Sequence, residues 1–361
     1  MLKILYLINH AGKAGTEKYV YNLAEKYHGK KAECFFVYNE KGPLCEQIES
    51  LGIKPKRIEM KTPFDFKAAK ELAEYCEQNG IDVIHAQYPR ENYIAILAKR
   101  YYKKVKVVYT SHLTISTGIV WKITNSLMTK KNHKIISVCN YGKELLIGNG
   151  FPKDKIEVIF NGVRPEEKTE VEPTFKESLG IEKDTFVISI LARYEVEKGL
   201  EFLVNSIKRL KEMTDRKFVL LIAGDGALYK EIGELINNYG LNENIKQLGF
   251  RKDTAKILAI SDLYVNSSKD REALSFAMVE ALLNGLPIVA TDIGGNPDIV
   301  SPENKCGKMV GFNDVEAMAE ALKEFIENDE KRIEYSNNAV VVAKTVFNLD
   351  KLLDDTFKIY E

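Results

Sequence analysis

Eleven short apolar runs recur along this chain, and the stretches between them carry the spacing of amphipathic helices. Ile4–Ile8, Cys34–Tyr38, Val83–Ala86, Val105–Thr110, Ile135–Val138 and Ile156–Phe160 come first. Phe186–Ala192, Phe218–Ala223, Ile245–Leu248, Leu263–Asn266 and Pro287–Thr291 follow. Continuous runs of this length and β-branched content read as strands buried on both faces. Thr16–Tyr27, Phe66–Gln78, Leu200–Met213 and Tyr229–Tyr239 repeat apolar residues every three or four positions and read as helices. Strand–helix alternation leads to parallel sheets with right-handed crossovers, the α/β class. The pattern restarts after a charged stretch without clear period, Val163 to Asp184, which contains Pro165 and Pro173 and reads as a hinge. With 361 residues available, two Rossmann-like domains are expected, 1–164 and 165–345. The stretch 346–361 forms a last helix with no strand after it, able to pack across either domain.

Composition removes several classes. Hydrophobic residues make up 45% and charged residues 29%, enough for a packed core and incompatible with disorder. The most apolar candidate for a membrane span, Leu113 to Met128, is broken by Lys122. MLKILYLINHAG lacks a cleavage pattern and reads as a first strand, so the expected location is the cytoplasm. Five widely spaced cysteines without a C-x-x-C suit reduced thiols rather than a zinc site or a disulfide framework. The zero net charge hides an asymmetry. Residues 1–164 carry 27 basic and 16 acidic side chains, and the remainder carries 25 and 36. Positions 83–143 hold eleven basic residues against Glu91 alone.

Ligands of open α/β sheets bind at the carboxyl ends of strands, so those ends are where chemistry is expected. After the first strand comes His10-Ala-Gly-Lys-Ala-Gly15-Thr-Glu17, a turn of small residues opening a helix, where backbone N–H groups can approach an anion. It is not G-x-G-x-x-G, which argues against a nicotinamide or flavin. His85 and His112 end neighbouring strands. Either alone reads as a packing residue, but together they suggest a shared cleft, with His112 the better candidate. In the second half, Arg193 and Lys198 stand five apart after a strand and can grip two phosphates. Leu263–Asn266 runs into SSKDRE and a helix. Glu272 then falls at the loop–helix junction, Glu280 lies two turns on, and the amides of Leu274, Ser275 and Phe276 point at an anion.

The segments R-Y-E-V-E-K-G, A-G-D-G and E-A-L-S-F-A-M-V-E-A-L-L-N-G-L-P-I-V-A-T resemble the retaining glycosyltransferases of family 4, Glu272 and Glu280 matching their E-x7-E motif. A-G-T-E-K-Y-V-Y-N-L-A resembles the family's glycine-rich turn, and I-F-N-G-V the segment before its interdomain linker. The resemblance runs colinearly over nearly the whole chain. It implies the GT-B fold, two Rossmann-like domains facing across a cleft, with the nucleotide-sugar donor (UDP- or GDP-linked) on the C-terminal domain and no metal or other cofactor. Carried over by residue, it implies that Arg193 and Lys198 clamp the diphosphate and Glu280 holds the ribose. Glu272 would lie near the donor sugar, and Gly15 would offer its backbone to the phosphate. His112 would contact the sugar near the anomeric carbon, and Phe250 and Arg251 would seat the base. His85 and Asn161 are assigned to the acceptor or sugar side. Two departures stand out: the family's paired glycines are Ala14–Gly15 here, and its frequent Asp after N-G-V is Arg164.

Glycosyl transfer needs the developing diphosphate charge stabilised, which fixed cations and helix amides supply. No obvious pair of carboxylates is placed to flank a glycosidic bond, so hydrolysis fits less well. Two rivals share the architecture: a non-hydrolysing sugar-nucleotide epimerase, which would not need the second-half motif, and a two-lobed binding protein, which would normally be exported. The basic, aromatic-interleaved stretch 83–143 lacks an RNA- or DNA-binding motif. Its expected partner is an anionic membrane surface at the inner face of the cell membrane, with a lipid-linked or saccharide acceptor.

Overall fold

Both sheets of the computed structural model are entirely parallel and share one winding order. The structure describes residues 1–112, 116–164, 171, 172, 174–270 and 272–361. Leu113, Pro165, Pro173 and Arg271 therefore lie outside the described residues, as do positions 165–170 of the expected hinge. The strands are β1 (Leu2–His10), β2 (Ala32–Glu40), β3 (Pro55–Arg57), β4 (Val83–Ala86), β5 (Lys106–Ser111), β6 (Lys134–Ser137) and β7 (Ile156–Val158) in the first sheet. In the second they are β8 (Phe186–Leu191), β9 (Phe218–Ala223), β10 (Ile245–Gly249), β11 (Leu263–Asn266), β12 (Ile288–Thr291) and β13 (Gly307–Val310). Their spatial orders are β3-β2-β1-β4-β5-β6-β7 and β10-β9-β8-β11-β12-β13. In each, the chain winds outward one way from the first strand and then crosses to the other side. That creates a switch point between β1 and β4, and another between β8 and β11.

The central strands are buried throughout: every residue of β4, β9, β11 and β12 is buried, as a sheet covered by helices on both faces requires. Two edge strands were not expected from the sequence. Pro55-Lys-Arg and Gly-Lys-Met-Val are short and polar, and edge strands need not be apolar.

Two compact units result, Met1–Asn161 with Asp350–Glu361, and Gly162–Leu349. The last helix, Leu349–Tyr360, thus belongs mostly to the first unit. Tyr27 Oη donates to the Leu353 carbonyl, Lys31 pairs with Asp354 at 2.9 Å, and Lys106 Nζ donates to the Tyr360 carbonyl at 3.0 Å. Tyr360 itself is fully buried. The core of the second unit joins β8, β9, β11 and β12 to the helices Leu200–Met213 and Val315–Glu327 through Ile188, Leu203, Ile207, Leu220, Val265, Val289, Leu322 and Phe325. All five cysteines are buried as free thiols.

Candidate functional site

In the second unit the β8–β11 switch point gathers the expected residues. Strand β8 ends at Leu191, and the chain turns through Arg193, whose side chain is exposed; among the described residues it has no ion-pair partner. Lys198 follows one short turn later. Gly199, at φ +60°, reverses the chain into the helix Leu200–Met213, and a Cβ there would lie 2.2 Å from the Ser267 carbonyl oxygen. Only glycine fits so close an approach in the left-handed region. That approach docks the Lys198 turn onto the end of β11, where Ser267 Oγ donates to the Lys198 carbonyl at 2.8 Å.

Across the switch point, Lys198 Nζ donates to Glu272 Oε2 at 2.6 Å, and Ser268 Oγ donates to the same oxygen at 2.8 Å. Glu272 is 8% exposed. Gly294, at φ +59°, packs against the Glu272 carbonyl so tightly that a Cβ would lie 1.9 Å away. Beneath this, Asn266 Oδ1 accepts from the Ser268 N–H at 3.0 Å, and Thr291 Oγ1 donates to the Ser268 carbonyl at 2.6 Å. Asn296 Nδ2 donates to the Thr291 carbonyl at 3.0 Å. Ser275 caps the helix Phe276–Leu283 by accepting the Met278 N–H, and it lies buried beside Leu274. Glu280, half-buried, projects from the middle of that helix. Burial pushes the Tyr264 phenol up, and the negative charges of Glu272 and Glu280 add smaller pushes in the same direction. Phe250 is 72% exposed, and Arg251 forms a two-pronged pair with Asp253 at 2.8 and 2.6 Å.

In the first unit, Gly15 is the first residue of the helix Gly15–Tyr27, which no side chain caps at Ala14 among the described residues. His112 follows β5, half-buried, edge-on to Tyr19 at 5.0 Å, with Nε2 3.0 Å from Gln87 Oε1. Burial lowers its pKa to about 3, so the ring is neutral at physiological pH. As Gln87 Oε1 can only accept, the proton is assigned to Nε2, leaving Nδ1 as an acceptor.

His85 corrects an expectation. It is fully buried, with Nδ1 2.6 Å from Tyr360 Oη and Nε2 2.6 Å from Thr110 Oγ1. Both nitrogens are used inside the unit, so it fastens the last helix to the sheet and is not open to a sugar. Asn161 is 5% exposed, and its Oδ1 is buried without a hydrogen-bond partner among the described residues.

Residues not singled out in the sequence complete both sites. Ser267 and Ser268 stand in SSKDRE, and Gln87 and Arg90 follow β4. Their position just past strands at a switch point was the available signal. Glu91 is inaccessible, burial raises its pKa, and Arg90 Nε holds its Oε1 at 2.9 Å.

The chain was compared with known proteins. Residues 171–341 match the family model described as glycosyl transferases group 1, and residues 14–167 match glycosyltransferase family 4. A Campylobacter jejuni relative is 28% identical over 99% of both chains. It is N-acetylgalactosamine-N,N'-diacetylbacillosaminyl-diphospho-undecaprenol 4-alpha-N-acetylgalactosaminyltransferase. An Escherichia coli UDP-Gal:alpha-D-GlcNAc-diphosphoundecaprenol alpha-1,3-galactosyltransferase is 28% identical over 82% of this chain and 79% of its own. Among solved structures, Anabaena HepE in complex with UDP superposes with a TM-score of 0.87 at 20% identity over 99% of both chains. A glycosyltransferase from Rickettsia africae gives 0.86 at 23% identity over 99% of this chain and 97% of its own. With the two family models meeting end to end and both sheets wound as Rossmann-like domains, the chain belongs to the family 4 glycosyltransferases of GT-B fold.

Proposed function

We propose that this glycosyltransferase moves a hexose-type sugar from a UDP- or GDP-linked donor to a hydroxyl of a saccharide carried on a lipid diphosphate, with retention of configuration. The observation that carries the donor side is the pair of cations at the β8–β11 switch point, Arg193 exposed and Lys198 fixed by Glu272 at 2.6 Å. In this reading the donor diphosphate lies against that pair and the start of the helix Phe276–Leu283, and Glu280 takes the ribose hydroxyls. As the bond from C1 to the phosphate oxygen breaks, charge grows on that oxygen, and prearranged cations stabilise it without reorganisation. The acceptor oxygen bonds C1 on the same face, and its proton passes to the departing phosphate. Neutral His112 offers a hydrogen bond to the sugar without adding charge. The absence of a required metal is part of the proposal.

The acceptor class is supported by the names of the relatives, which act on diphospho-undecaprenol saccharides. It is supported also by the surface of the first unit. Among the described residues no helix is long and apolar enough to cross a membrane. The helix Ile119–Met128, however, exposes Ile119 (69%), Val120 (71%), Ile123 (57%) and Leu127 (66%), and buries Asn125. Lys122, Lys130 and Lys131 lie on or just after it. Ile119, Ile123 and Leu127 form one stripe, so an apolar face turned outward among cations fits the interface of an anionic bilayer. The reading is tested with labelled UDP- and GDP-sugars, with and without an undecaprenyl-diphosphate-linked saccharide and with EDTA present. Nucleotide release that depends on acceptor, survives EDTA and yields an α-linked product from an α-donor is expected. Donor isomerisation alone, or an inverted product, overturns it.

A further inference from the structure

The first unit contains a cavity of about 330 Å³ that has no part in the donor site described above. Its walls include Tyr93, Tyr109, Trp121, Leu145, Leu146 and Phe151, and it opens beside Ser111, the residue preceding His112. Three features define what it suits. Its polar side chains are engaged with one another. Tyr93 Oη donates to Asn125 Oδ1, Asn125 Nδ2 donates to the Asn149 carbonyl at 2.7 Å, and Asn149 Oδ1 accepts from the N–H and hydroxyl of Thr117 at 2.9 and 3.0 Å. The space is therefore bounded mainly by rings and aliphatic carbon. A sugar, which needs polar groups still able to pair, fits such walls poorly.

The second feature is charge. Arg90 is the one charged side chain among the described lining residues, and its guanidinium is fixed by Glu91 and Asn9. The third is continuity. Trp121 lines the cavity and also belongs to the outward apolar helix, and it stacks on the exposed Phe64 with ring centres 6.2 Å apart and planes at 7°. The helix Ile119–Met128 thus presents Trp121 and Asn125 to the cavity and the exposed stripe on its other face, and the cavity has a cation at its wall and the His112 strand end beside it.

We infer that this cavity is a binding site for the lipid chain of the acceptor: the isoprenoid units nearest the diphosphate enter it, and Arg90 faces the diphosphate. The inference rests on the lipid-linked acceptor proposed above and names where that lipid is held. A cavity of this size accommodates a short apolar segment and leaves the rest of the chain to the bilayer.

Trp121 is the only tryptophan of the chain, so its emission reports on this cavity directly. The full-length protein is titrated with farnesyl diphosphate below its micelle concentration, in parallel with inorganic pyrophosphate and with phosphatidylglycerol vesicles. A saturable blue shift with farnesyl diphosphate and none with pyrophosphate is expected. Leu145→Arg, at a half-buried wall position, should weaken that binding by more than about tenfold. Leu127→Glu, on the exposed stripe, should weaken vesicle binding and leave the farnesyl titration unchanged. No saturable change in the wild-type protein overturns the site, and so does a farnesyl diphosphate shift that Leu127→Glu abolishes and Leu145→Arg does not. The acceptor reading is tested apart from it. Transfer to an undecaprenyl-linked saccharide that is undiminished in Leu145→Arg would sink the cavity and leave the acceptor class standing. Saturable farnesyl diphosphate binding without any transfer to lipid-linked saccharides would do the opposite.

Discussion

Lys198 and Glu272, 74 residues apart in sequence, meet in an ion pair at 2.6 Å where two adjacent strands end. The carboxylate is largely buried and shared with the Ser268 hydroxyl, so the ammonium is held in one place rather than left to roam on its four-carbon stem. A fixed cation is what stabilises a charge that grows during reaction. Lys198→Ala is expected to lower turnover by roughly two to three orders of magnitude. Glu272→Gln keeps the shape but frees the ammonium, and should cost less in nucleotide affinity than in turnover. Steady-state kinetics with titrated UDP-sugar decides this; near-normal turnover of Lys198→Ala would refute the clamp.

Glu280 and His112 are expected to separate binding from transfer. Glu280→Ala should weaken free UDP or GDP by about tenfold or more, read by calorimetry. His112→Ala should leave nucleotide affinity nearly intact while slowing transfer. The reverse pattern would exchange their roles.

Acid stability should carry the mark of two histidines held neutral, His85 and His112. Burial lowers the pKa of both His85 and His112 to about 3, and for His85 the neighbouring His112 adds a smaller push in the same direction. Each ring is held neutral, so its contribution to stability is complete above the unfolded pKa near 6.5 and is lost as pH falls towards 3. At pH 5 this amounts to about 2 kcal/mol for the fully buried His85. Urea midpoints measured between pH 5 and 8 should fall on the acid side, and His85→Gln should flatten the slope while lowering stability at pH 8. An unchanged slope would mean that His85 does not report the linkage.

The last helix should be indispensable to the first unit. Tyr360 is fully buried and its hydroxyl meets His85 at 2.6 Å. Tyr360→Ala is expected to cost about 3–5 kcal/mol, and Tyr360→Phe about 1–3 kcal/mol, because the latter leaves a buried histidine nitrogen unpaired. Denaturant unfolding distinguishes them, and a Tyr360→Phe variant as stable as the wild-type protein would deny the hydrogen bond a role.

Attachment to membranes should need both charge and the outward stripe. Each Lys or Arg near an anionic surface contributes about 1 kcal/mol, screened within a Debye length of roughly 10 Å at 0.1 M salt. The protein should co-sediment with phosphatidylglycerol vesicles at low salt, release as salt rises, and lose most of its binding in an Ile123→Glu/Leu127→Glu double variant. Equal binding to neutral vesicles would count against the cationic contribution.

The sequence by itself determined the class of the fold, and it pointed to the strand ends as the places to look for a site. Buried parallel strands must be apolar along their whole length, so β4, β9 and β11 were legible to the residue as Val83–Ala86, Phe218–Ala223 and Leu263–Asn266. Arg193 and Lys198 were legible because a cation just past such a strand has no packing reason to be there. The edge strands β3 and β13 were not, because a strand with one neighbour can be short and polar. Only the tertiary structure decided the rest. It gave His85 a partner 275 residues away, which local patterning cannot encode, and so turned a candidate ligand into a fastening. It paired Lys198 with Glu272 by setting β8 beside β11, an adjacency fixed by sheet winding rather than by chain neighbours. It also turned the apolar stripe of Ile119–Met128 outward, since periodicity shows that a helix has an apolar face but not whether protein or solvent lies against it.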